Sequence, residues 1–226
     1  EGVAVKATVT TNPSSGTLTI DLRDNVDCLP SGINLSEASA RSAALIGAFN
    51  GLPVHLSVNG GSLRRFKVIL RQGSAVGIPN DQTSCSLATT NLADRVINAV
   101  HLAFAQISDQ LGMAEMGAIE GPAGAVISGL DPRRGNRPYI NQLALAGTAG
   151  AAGPHANGWL TMGNAGTAGM WKMDSIEITE LDFPLIINKR RLIPDTEGAG
   201  KYTGAPSCLV EYEITADSMN IYYCSD

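Results

Sequence analysis

The sequence predicts an α+β fold: mainly antiparallel sheets, two principal helices and a long Gly/Ala-rich loop region. Three observations carry this. Alternating runs rich in β-formers gather towards both ends of the chain, two stretches between them read as helices, and residues 117–170 repeat Gly and Ala with few large side chains.

VAVKATVTT (3–11) and TLTIDLR (17–23) alternate and flank NPSSG, a turn cluster, so they predict a β-hairpin. SEASARSAALIGAFNG (36–51) predicts the first helix. Ser36 can cap it, Glu37 suits the positive end of the dipole, and Gly51 can end it. Its many Ala, Gly and Ser positions predict close packing against a neighbour. FKVIL (66–70) reads as a short strand closed by RQGS. The second helix is NLADRVINAVHLAFAQISDQLG (91–112), where Leu92, Val96, Val100, Ala103, Ile107 and Leu111 recur at helical spacing and Gly112 stops it. Asn91 with Asp94 resembles a capping box. The Gly/Ala stretch that follows cannot build a large core by itself. It reads as crossing loops packed backbone to backbone, or as a mobile binding segment. Strands return with SIEITEL (175–181), PLIINKRRL (184–192) and SCLVEYEIT (207–215).

Composition narrows the function classes. At 226 residues, 44% apolar and 16% charged, the chain is a soluble globular one that fits one domain, or one and a half. A net charge of −5 and an aromatic content of 5% leave little for phosphate attraction or base stacking, which disfavours nucleic acid. No apolar run approaches membrane-spanning length and no signal-peptide pattern is present, so a cytoplasmic location and no membrane partner are expected. The basic runs Arg64, Arg65, Lys67 and Arg71; Arg133, Arg134 and Arg137; and Lys189, Arg190 and Arg191 read as solvated strand ends or a subunit interface. Cys28, Cys85, Cys208 and Cys224 are far apart with no C-x-x-C pair, which points to isolated thiols in a reducing compartment.

GAGKYTG (198–204) looks at first like a phosphate loop. The spacing refuses it: the first glycine of a P-loop would fall on Asp195 and the metal-binding hydroxyl on Tyr202, and a strand rather than a helix follows. None of His55, His101 and His155 lies within five residues of another His or a Cys, so no local metal pair exists. His101, at the edge of an apolar helix face, reads as a packed side chain. His155, in the glycine loop beside Pro154, is a candidate to contact a ligand. Glu177 and Glu180, three apart in a predicted strand, would point to opposite faces. No G-x-S-x-G elbow occurs and no cysteine stands near a histidine.

TLTIDLRDNVDCLPSGIN (17–34), NGGSLRRFKVILRQGSAVG (59–77), TTNLADRVINAVHLAFA (89–105), IEITELDFPL (176–185) and above all RRLIPDTEGAGKYTGAP (190–206) together resemble the hydantoinase B family. MWKMDSIEITELDFPLI looks closest to its acetone and acetophenone carboxylase branch. The resemblance spans nearly the whole chain, read as a single domain over 1–226, but only the C-terminal half of a family subunit. Asp24-Asn25, Glu197, Thr203 and Ala205-Pro206 depart from the family pattern. The resemblance implies a B-type subunit, or a piece of one, in an ATP-dependent complex that carboxylates a ketone such as acetone or acetophenone. The alternatives are an ATP-dependent amidohydrolase (hydantoinase, oxoprolinase or lactamase) and a non-catalytic assembly chain. It further implies ATP and Mg²⁺ on a hydantoinase A-like partner, a divalent metal (Zn or Mn) in the missing N-terminal half, no cofactor in this chain, and hetero-oligomers. His155, Asn164, Glu177 and Glu180 are the candidates for lining a substrate channel, and the chain alone is expected to be inactive.

Overall fold

The computed structural model describes residues 2–53, 55–86, 91–117, 124–160, 162 and 172–223. The chain divides into two compact units, Glu1–Met116 with Gly153–Ala156, and Gly117–Ala152 with Asn157–Asp226.

In the first unit β1 (Thr8–Asn12) and β2 (Thr17–Asp21) form the expected hairpin, in register from Thr8↔Asp21 to Asn12↔Thr17. Gly16 closes the turn at φ +60°, where a side chain would be strained. β3 (Phe66–Ile69) pairs with β2 in parallel, Leu18 opposite Phe66. A parallel pair needs a crossover, supplied here by α1 (Glu37–Gly51) and the short α2 (Gly60–Leu63). Ser36 caps α1 as expected, its Oγ accepting from the Ser39 N–H at 3.2 Å. The small residues of α1 have the predicted purpose: a Cβ on Gly47 would stand 2.8 Å from the Ile97 carbonyl oxygen and 2.9 Å from the Val100 Cβ. Those two belong to α3 (Leu92–Ala105), which buries Val96, Ile97, Val100 and Phe104 with Ala40, Ala43, Ala44 and Ala48 of α1 in one core.

α3 stops at Ala105, short of Gly112. Ser108 diverts the backbone, its Oγ accepting from the Gln110 N–H and its carbonyl from the Leu111 N–H. Gly112 then turns at φ +72° and donates to the Gly51 carbonyl. Asn91 makes no side-chain cap bond; the capping box forms instead at Asn59 and Ser62, on α2.

The second unit holds a three-stranded antiparallel sheet, order β5-β4-β8, from β4 (Val126–Asp131), β5 (Arg137–Gln142) and β8 (Met219–Tyr222). β4 and β5 lie in the stretch read as crossing loops. The overlooked signal is DPRRGN, in which Asp131 caps a 3-10 turn (Pro132–Arg134) and Gly135 and Asn136 follow with positive φ. β6 (Leu185–Leu192) and β7 (Cys208–Ile214) form a two-stranded ribbon with an irregularity between Ile187 and Lys189. Ile127, Leu143, Leu145, Leu185 and Ile187 make this unit's core, with Tyr139, Phe183, Val210 and Tyr212 packed around it.

SIEITEL corrects one expectation. It is α4 (Ile176–Asp182), a helix, where alternation predicts a strand. Ser175 decides the outcome: its Oγ accepts from the Ile178 N–H and its carbonyl from the Thr179 N–H and hydroxyl. The apparent alternation leaves Ile178 and Leu181 exposed on the outer surface of the helix. The α+β class holds, with small, mostly antiparallel sheets and, among the described residues, four α-helices.

Candidate functional site

His155 is exposed, on a turn closed by a 3.0 Å bond from the Gly153 N–H to the Ala156 carbonyl, in the first unit. Asn164 lies outside the described residues. Glu177 and Glu180 belong to the second unit and, three apart on α4, share one side of a helix instead of opposing faces of a strand. Each is already engaged. Ser175 Oγ donates to Glu177 Oε2 at 2.6 Å and holds that carboxyl below its usual range. Glu180 Oε1 accepts from the Ile187 N–H at 2.8 Å, tying α4 to the start of strand β6. His101 is packed as expected, fully buried, with neither ring nitrogen hydrogen-bonded. Among the described residues no three His, Cys, Asp or Glu side chains converge as a metal set.

The glycine loop does cross backbone to backbone. Gly150 donates to the Trp159 carbonyl (2.9 Å) and accepts from the Ala205 N–H (2.9 Å), while Gly158 donates to the Thr203 carbonyl (2.8 Å). Asn157 Oδ1 accepts from the Thr203 N–H at 2.9 Å. A Cβ on Gly158 would collide with the Gly150 carbonyl oxygen, so glycine is obligatory there. The stretch that meets this loop is GAGKYTGAP, the link between β6 and β7. Its Asp195 turns at φ +60°, and Thr196 Oγ1 bridges the Ile193 carbonyl and the Ser207 N–H. It is a connection and a clamp, with Lys201 exposed and lying 5.3 Å over the Tyr202 ring.

Sequence reasoning passed over the cleft beside this sheet. It measures about 210 Å³ and is lined by Asp131, Arg134, Arg137, Pro138, Tyr139, Asp182 and Phe183. Asp131 is 2% exposed and is gripped by Arg133, Nε to Oδ1 and Nη2 to Oδ2, both at 3.0 Å. That fork holds the Asp131 carboxyl below its ordinary range and raises the guanidinium in return. Arg133 also donates to the Glu180 and Leu181 carbonyls, and Arg134 to the Leu181 carbonyl and to Asp182 Oδ1 at 3.3 Å. Two arginines thus satisfy the last carbonyls of α4, where cations suit the negative end of the helix. Tyr139 stacks tilted against Phe183, ring centroids 5.7 Å apart, and burial pushes its phenol up.

The sequence matches hydantoinase B/oxoprolinase over residues 1–226. It is 28% identical over 134 residues to the caprolactamase subunit beta of Pseudomonas jessenii, a match covering 59% of this chain and 22% of that one. The fold is similar to the crystal structure of ATP-dependent caprolactamase from Pseudomonas jessenii, with a TM-score of 0.77 and 22% identity over 93% of this chain and 36% of that chain. It is also similar to nucleotide-free acetone carboxylase, with a TM-score of 0.75 and 15% identity over 97% of this chain and 29% of that one. The chain therefore spans between a fifth and two fifths of the length of these relatives.

Proposed function

The chain belongs to the hydantoinase B/oxoprolinase family, and from that premise we propose that it is part of the B-type subunit of an ATP-dependent enzyme that opens a lactam or related cyclic amide. The supporting observation is the 28% identity with a caprolactamase beta subunit. In this reading a hydantoinase A-like partner binds ATP and Mg²⁺ and activates the substrate oxygen. A divalent metal, Zn or Mn, is held by the part of the family subunit that lies outside this chain. The residues of this chain form walls. The Gly150–Gly158–Ala205 crossing keeps water from an activated intermediate, and His155 and Asn164 stay candidates for substrate contact on the sequence pattern alone. Glu177 and Glu180 fix α4, and no acid–base step is assigned to them.

The ketone carboxylase reading, on acetone or acetophenone, is the second. The fold similarity to acetone carboxylase over 97% of the chain favours it. Labelled bicarbonate separates the two in the assembled complex. A ring-opening enzyme gives products without label and consumes lactam with ATP; label retained in a non-volatile acid overturns the first reading in favour of the second. The chain by itself is expected to show no turnover with either substrate class, and measurable turnover would overturn its role as wall and assembly surface.

A further inference from the structure

The side chains around Asp131 leave one charge unspent. Three arginines meet two carboxylates there: Arg133 occupies both oxygens of Asp131, and Arg134 is shared by Asp131, Asp182 and the Leu181 carbonyl. Arg137, opposite Asp131 in the β4–β5 register, has no hydrogen bond or ion pair from its guanidinium to any described residue. The cleft wall itself carries Arg134 and Arg137 against Asp131 and Asp182; with Asp131 paired to Arg133 and Asp182 to Arg134, the guanidinium of Arg137 is the charge left over. The cleft's other walls are Pro138, Tyr139 and Phe183, with the two rings stacked on each other. At about 210 Å³ it holds roughly seven waters, which is below the ~300–1,000 Å³ of a cofactor pocket.

We propose that this cleft binds a small carboxylate with a short apolar stem, the carboxylate on Arg137 with Arg134 beside it and the stem against Pro138 and Phe183. A planar guanidinium fork matches a carboxylate in two parallel bonds, which an ammonium does not. The rings exclude water from the stem, so the site favours an organic acid over an inorganic oxyanion. The charge of Asp131 is offset by the Arg133 fork, and that of Asp182, half exposed at the cleft's edge, by Arg134, so the ligand's carboxylate is placed on the Arg137 side. The proposal is independent of the reaction assigned to the family and holds whether the complex opens amides or carboxylates ketones.

The test is a titration of the 226-residue chain with hexanoate, acetate and inorganic phosphate, followed through the arginine Nε–H signals in ¹H–¹⁵N spectra. Hexanoate should saturate in the millimolar range, shift the Arg137 signal, and bind more tightly than acetate or phosphate. Arg137→Ala should weaken hexanoate at least about tenfold, and Arg137→Lys should recover only part of that. Arg191→Ala, which removes an exposed arginine of β6 elsewhere, should leave binding unchanged. Arg137 is exposed, so its variants should keep the wild-type melting temperature. No saturation, equal binding by Arg137→Ala, or phosphate binding as tight as hexanoate would each overturn the proposal.

Discussion

His101 carries the clearest single-residue consequence. It is fully buried on α3 without a hydrogen bond to either nitrogen, and burial lowers its pKa from 6.5 to about 4. The folded state therefore holds it neutral while the unfolded chain takes up a proton below pH 6.5. Stability is complete above that value and is lost as pH falls towards 4, by up to about 3 kcal/mol. Urea unfolding from pH 7.5 to 4.5 should show this slope, and His101→Leu should flatten it; an equal slope in both proteins would mean that other groups carry the acid sensitivity. Gly129 tests a second contact. An added Cβ would lie 2.8 Å from Tyr139 Oη, a buried hydroxyl with no partner. Gly129→Ala should cost about 1–3 kcal/mol, Tyr139→Phe should be near neutral, and the double variant should lose less than the sum. Strict additivity in thermal melts would show that the two do not touch.

Among the elements, α4 depends on its first residue. Ser175→Ala removes both the cap on Ile178 and the donor to Glu177, and should cost about 1 kcal/mol in chemical denaturation. A Ser175→Asp variant, which keeps an acceptor at the cap, should recover most of that loss. Both helices of the first half were legible, α1 from its Ser36 cap and small packing residues and α3 from its apolar repeat, although the Asn91 cap and the Gly112 stop expected for α3 did not form. At α4 two signals disagreed: alternation in IEITEL pointed to a strand, while Ser175 and Glu177 fitted a helix start, and the local cap prevailed. The β4–β5 hairpin was missed for a different reason. Gly129, Gly135 and the arginines around them read as loop chemistry, because the one large inward ring, Tyr139, covers a glycine instead of facing a matching apolar residue. The glycine crossing was legible in kind, and the structure sharpens which glycine matters. Gly158→Ala should destabilise by about 3 kcal/mol or more, whereas Gly153→Ala, whose Cβ would stand 3.9 Å from its nearest neighbour, should be tolerated in the same melts.

For the whole molecule, charge and family were the readable quantities. With a pI near 5.2 the chain has its solubility minimum inside the range where His101 destabilises the fold, so storage near pH 5 should promote aggregation. Light scattering across pH 4.5 to 7.5 checks this, and a flat profile would contradict it. The family was legible because turn residues such as the 190–206 link recur as a linear pattern. The cleft was not, because Arg137, Asp182 and Phe183 meet only when two distant segments fold together. The Arg133–Arg134–Arg137 run looked like a solvated strand end, and for two of its three members the structure supplies specific partners instead.

The pairing of β4 with β8 has a consequence for the order of assembly. β4 and β5 are joined by a tight turn and can zip locally, but Val126 meets Tyr222 only across most of the second unit. Closing so large a loop loses more chain entropy before its contacts are rewarded, so this edge is filled late. Until then β4 offers unsatisfied N–H and C=O groups beside exposed Leu130 and Ile140. That combination is a template for intermolecular strand addition, and it makes the newly synthesised chain more vulnerable to self-association than the finished one.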